Sequence, residues 1–251
     1  MRRLQIFSVV MGFAIWQLIC TLQVVDPVYF PAPLAILNQA LLLFAEQPEF
    51  RGHLVQSLSR LLAGLALALP LALFLSLLTT LKLNARAIVS PWIGLTYPIP
   101  KLALFPFLLI VFGTGDTAKI VMIGAGAFFL MYLSFEVGLR RVFESELFEV
   151  VRVYNVSRYK VFRHVLLKGA APEIINGIKM GTGYGLVMMV GSEMTMSKNG
   201  LGFYLWNAWD QFHLLDMYAC MLWISLLGIT VFTACDRLER KAGRRMRPAT
   251  D

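Results

Sequence analysis

Charge is scarce in this chain. Asp, Glu, Lys and Arg make up 15% of its 251 residues, against about 25% in soluble domains, so there is no room for a solvated domain. Cysteine is scarce too: Cys20, Cys220 and Cys235 all fall in apolar runs, without paired or metal-ligand spacing, which excludes a disulfide framework or a cysteine metal site and leaves packing as their role. The three histidines, His53, His164 and His213, fall at loops or ends of apolar runs. None shares a depth with the Ser192–Glu193 pair, so no intramembrane nucleophile and base come together. No G-x-x-x-x-G-K-[ST] phosphate loop occurs anywhere, so no ATPase site of that kind is present. An internal repeat, the mark of many self-sufficient transporters, is also missing.

What is present is apolar. Hydrophobic residues reach 58% and the mean hydropathy is +0.67, which points to an all-α protein in a lipid bilayer. Residues 4–25 carry no charge and follow Arg2 and Arg3; without an A-x-A-like site at its end, this run reads as an uncleaved span. Further spans are expected over 58–81, 87–112, 118–138, 174–196 and 214–235. Residues 26–56 then form an outer segment, with a short amphipathic helix over 34–44 whose apolar positions are 34, 37, 41 and 44. Of the 23 basic residues only Arg51, Arg60, Lys119 and Lys198 fall outside or at outer span ends, and Lys101 and Lys179 within spans. All others cluster on the opposite side, at the amino terminus, in the 139–171 loop, the 237–251 tail and the short inner connection at Lys82 and Arg86. That bias puts both termini inside and explains the net charge of +8 better than nucleic-acid binding does. The result is one transmembrane domain over 1–251 with six spans, Arg60 being free to snorkel from the outer end of its helix.

The basic loop is the informative stretch. From Glu144 to Tyr154 the residues Leu147, Phe148, Val150, Val151 and Tyr154 share one helical face, and Glu149 is among the polar positions. Such a helix docks in a partner's groove or rests on lipid headgroups. Glu149-Val150-Val151, three residues, Asn155, nine residues, then Val165-Leu166-Leu167-Lys168 and Ala171-Pro172 resembles the EAA loop of ABC-importer permeases, a pattern close to E-A-A, x3, G, x9, I-x-L-P. Asn155 stands where the pattern has glycine and tolerates the left-handed backbone a sharp turn needs. Lys168 stands where it has proline, with Gly169 and Pro172 nearby to break the helix. Phe30-Pro31-Ala32-Pro33, Ser57 to Gly64, Tyr97 to Lys101, Phe112 to Gly115 and Gly200-Leu201-Gly202 are similar to the nitrate, sulfonate and taurine branch of those permeases.

The resemblance implies a type I importer-like permease in a bacterial-type inner membrane, commonly a homodimer, that takes its energy from partner ATPase subunits. ATP and magnesium would sit on those subunits, an external solute-binding protein would deliver the solute, and no cofactor would belong to this chain. It also implies that the 139–171 loop carries the coupling helix between spans four and five, with Leu147 to Val151, Asn155, Val165, Leu167 and Pro172 as its coupling residues. A secondary transporter or channel acting without an ATPase is the alternative.

Two further groups stand out. Tyr97, Pro98, Pro100 and Lys101 interrupt the third span, and prolines there free carbonyls that only protein or a wet cavity can satisfy. Lys101 and Glu193 lie at similar depth, so they are expected to mark a translocation pathway, as an ion pair or separately, unless each snorkels to the headgroups. Gly177, Gly181 and Gly185 recur every four residues, the spacing that lets two membrane helices approach closely.

Overall fold

A computed structural model describes residues 2–154 and 156–244. Asn155, where the sequence places a turn, lies outside the described residues, as do the side chains of Leu147 and Val151 and all of 245–251. Helices account for nearly all of the described chain, and no strand occurs among the described residues. In chain order they are α1 (Arg2–Thr21), α2 (Pro33–Glu46), α3 (Pro48–Leu81), α4 (Leu83–Thr96), a 3₁₀ turn (Lys101–Leu104), α5 (Phe105–Phe112), α6 (Asp116–Phe143) and α7 (Glu146–Val153). There follow α8 (Arg158–Lys160), a π-helical segment (Val161–Leu166), α9 (Leu167–Gly169), α10 (Ala171–Met196), α11 (Leu201–Asp210) and α12 (Leu214–Arg244).

Three of these are long and apolar enough to cross a membrane: α3, α6 and the Leu214–Arg237 part of α12. The pair Leu83–Thr96 and Lys101–Phe112 passes the same test jointly but bends by 91° at its break. This is the interruption that the Tyr97–Lys101 prolines announce. Pro106 breaks no helix, because it sits in the first turn of α5, where its missing N–H costs nothing. Gly113, at φ 76°, ends α5. Asp116 in the first turn of α6 and Arg140 and Arg141 in its last turn match the helix dipole at both ends.

The chain divides into two compact units, Met1–Ser57 with Glu193–Leu227, and Leu58–Ser192 with Gly228–Asp251. In the first, Ile36, Ala40 and Leu43 of α2 are buried together with Phe50, Leu201, Ala208, Leu214, Ala219 and Cys220. Trp223 stacks on Phe44 at 4.9 Å and its indole N–H donates to the Ala40 carbonyl at 2.9 Å. Here the sequence reading needs correction. The helix expected over 34–44 exists, but it packs through 36, 40 and 43, while Leu34, Leu37 and Leu41 stay exposed. Two further segments differ: α3 begins at Pro48, ten residues before the expected span, and the stretch after 196 contains α11.

The core of the second unit is α3 against α6, where Ala68 and Ala72 leave room for Ala127, Met131, Tyr132 and Phe135. Hydroxyls inside α3 are satisfied locally: Thr79 and Thr80 donate to carbonyls three or four residues back. Arg60 does not snorkel. It is buried and its guanidinium meets Asp116 Oδ1 at 2.6 Å from Nη2 and 2.9 Å from Nε, because a carboxylate at the start of α6 lies within reach.

Candidate functional site

The loop between α6 and α10 is rooted in the second unit by one side of α7. Phe148 packs with Leu139, Leu166 and Ala170, flanked by Val142, Phe143, Val161 and Val165, and its ring lies 4.6 Å from that of Phe143. The Ser145 carbonyl accepts from Phe148 N–H at 2.9 Å and opens the helix. Glu149, Val150 and Tyr154 face outward and are exposed. So the apolar face expected to dock as one surface is split: Phe148 holds the helix to the bundle, and Val150 and Tyr154 are left bare. Val165 and Leu167 are half-buried, and the chain turns at Ala170 before Pro172 enters the first turn of α10. Arg141 pairs with Glu173 across the two ends of the loop.

At the break in the third expected span, Lys101 is buried. Its ammonium donates to the carbonyls of Thr96, Tyr97 and Ile99 at 2.7, 2.8 and 2.9 Å and lies 4.3 Å from the centre of the Phe129 ring. An ammonium has three hydrogens. All three are engaged on its own segment, which leaves none for the carboxylate partner that similar depth suggested. Beside it is a pocket of about 350 Å³ lined by Tyr97, Pro98, Ile99, Pro100, Lys101, Gly126, Phe129, Leu130 and Tyr184. Tyr97 also borders a second pocket of about 270 Å³ that ends at Glu136.

Glu193 belongs to the first unit and is fully buried. Its carboxylate accepts from the Ser57 hydroxyl at 2.7 Å and from Gly202 N–H at 2.9 Å. Sequence reasoning missed this cluster, although His53 and Ser57 share one face of α3 at i and i+4 and the Gly200–Gly202 turn was visible. Of the three spaced glycines, two lie hard against α6. A Cβ on Gly177 would stand 2.8 Å from Ser134 Cβ, and one on Gly181 would stand 3.0 Å from the Ala127 carbonyl. Gly185 has nothing nearer than 3.5 Å. Among the described residues no group of His, Cys, Asp or Glu is placed to hold a metal ion.

Residues 42–248 match the family described as binding-protein-dependent transport system inner membrane component. The chain is 30% identical over 209 residues to the taurine transport system permease protein TauC of Escherichia coli (strain K12), covering 82% of this chain and 76% of that one. It is also 30% identical over 231 residues to the putative aliphatic sulfonates transport permease protein SsuC of Bacillus subtilis (strain 168), covering 91% and 82%. Its fold is shared with a chain of the MetNI methionine ABC transporter in an inward-facing conformation, at a TM-score of 0.60 and 18% identity over 87% of this chain and 99% of that one. The chain therefore belongs to the inner membrane components of binding-protein-dependent transport systems.

Proposed function

We propose that this chain is the permease subunit of an ATP-driven importer for a small sulfonate. Six spans carry it, formed by α1, α3, the bent α4–α5 pair, α6, α10 and α12. Both termini and the 139–171 loop lie in the cytoplasm, where the basic residues cluster. An ATPase subunit holding ATP and magnesium docks on α7, a solute-binding protein delivers from outside, and a second permease copy completes the pathway. Tyr97, Pro98, Pro100 and Lys101 line that pathway at the pocket beside the 91° bend. The sulfonate class is carried over from relatives named for taurine and aliphatic sulfonates.

The observation that carries this reading is the division of α7. A lipid-resting helix would turn its large apolar residues to the membrane as a set, whereas here, among the described side chains, Phe148 is packed into the bundle and Glu149, Val150 and Tyr154 offer a mixed surface. That is what a protein groove accepts. The test is reconstitution in vesicles with the ATPase and binding protein, following labelled taurine. Uptake should need both partners and ATP. Uptake by the permease alone would overturn the reading. Glu149→Lys with Val150→Lys should abolish co-purification with the ATPase while the variant still inserts and melts like the parent protein; normal ATPase binding by that variant would remove α7 from the docking surface.

A further inference from the structure

The start of α11 is held from outside its own segment. It has no side-chain cap from its N-cap residue, Gly200. Instead three successive backbone N–H groups donate to three side chains on other helices: Gly200 to His53 Nδ1 at 3.0 Å, Leu201 to Ser57 Oγ at 2.7 Å, and Gly202 to Glu193 Oε2 at 2.9 Å. Ser57 passes its own hydrogen to the Glu193 carboxylate, which closes the set. Ser57 and Glu193 are completely buried. The turn is wrapped so tightly that a Cβ on Gly200 would lie 2.4 to 2.5 Å from the Glu193 carboxyl atoms, and its φ of 110° disfavours any side chain.

An ordinary N-cap serine or asparagine, in extended backbone, caps a helix locally with a single residue. The arrangement found does something a local cap cannot: it makes the seating of α11 depend on where α10 and α3 stand. α10 runs unbroken from Ala171, at the end of the 139–171 loop, to Met196, so Glu193 stands on the same helix that leaves the loop. We propose that Glu193, together with Ser57, is a positioning residue for transport, a latch through which movement of the loop-bearing end of α10 is felt at α11. This rests on the reading that the loop docks on an ATPase.

Two measurements test it, one with partners and one without. In the detergent-solubilised chain alone, amide exchange of the Gly200–Gly202 segment should be about tenfold faster in Glu193→Ala than in the parent protein, on the scale of one lost buried hydrogen bond. Gly200→Ala should behave similarly. Unchanged exchange in both would overturn the latch. In the assembled complex, Glu193→Ala should bind the ATPase and show its basal ATP hydrolysis, yet take up taurine about tenfold more slowly per ATP hydrolysed, again on the scale of one such bond. Glu193→Gln retains an acceptor for Gly202 and should recover most of that loss. Parallel loss of ATPase binding and uptake, or uptake equal to the parent, would overturn the role in coupling. If the parent complex itself moves no taurine, the importer reading fails, and the exchange measurement still decides the latch.

Discussion

Lys101 meets three carbonyls with three hydrogens, and the consequence of removing it follows from that match. Lys101→Met would take a donor from the carbonyls of Thr96, Tyr97 and Ile99, of which Thr96 keeps the Ile99 N–H at 3.3 Å; an acceptor left unpaired away from water costs about 1–3 kcal/mol. The solubilised protein should melt well below the parent, and Lys101→Arg should fall between, since a planar fork cannot address three convergent acceptors as an ammonium does. A Lys101→Met variant melting like the parent would show that water already serves those carbonyls. Asp116→Asn should also destabilise, by less than the roughly 3–5 kcal/mol for breaking a fully buried pair, because Arg60 is 2% exposed but Asp116 is 48% exposed. At this scale the sequence disclosed that prolines free carbonyls near Lys101, and that Arg60 sits near a span end. It did not disclose where either cation turns. A depth count compares positions along one axis and is blind to a carboxylate brought alongside from 56 residues away.

Close approach and anchoring decide what individual helices tolerate. Gly181→Ala would push a methyl against the Ala127 carbonyl and Met131, and Gly177→Ala would push one against Ser134 and Phe135, so both should lower the melting temperature by forcing α10 off α6. Gly185→Ala meets only ordinary contacts and should be neutral or slightly favourable, as alanine is the better helix former. Equal effects at all three would mean that spacing rather than contact matters. On α7, Phe148→Ala should cost about 3–5 kcal/mol, as large aromatic deletions from cores do, whereas Val150→Asp should leave stability unchanged. Helix interiors were legible because apolar runs and glycine spacing are periodic. Helix ends were not. Glu49, Arg51, His53 and Gln56 read as loop, yet α3 starts at Pro48 because a helix leaving an apolar layer needs no stop and continues with polar residues. α11 was hidden because ten residues between glycine and a polar turn carry too little periodicity to separate helix from loop.

For the molecule as a whole, topology is the testable quantity. Cys20, Cys220 and Cys235 are all buried, so an impermeant maleimide should label the intact protein weakly, and the native chain can serve as a blank. Tyr154 and Tyr159 are exposed; Tyr154→Cys or Tyr159→Cys should be labelled only from the cytoplasmic face. Labelling from the other side would invert the proposed orientation. The ordered set of short matches made the family legible, while the two-unit division was not, because three helices, α3, α10 and α12, contribute to both units without any break in composition. The cradle of Lys101 has one more consequence, for biogenesis. Its three acceptors all lie within five residues upstream, so this charge has its hydrogen-bond partners as soon as its own segment leaves the ribosome. Arg60, by contrast, meets Asp116, a residue translated 56 positions later. A charge partnered within its own segment is thus ready to enter lipid before any later helix is made.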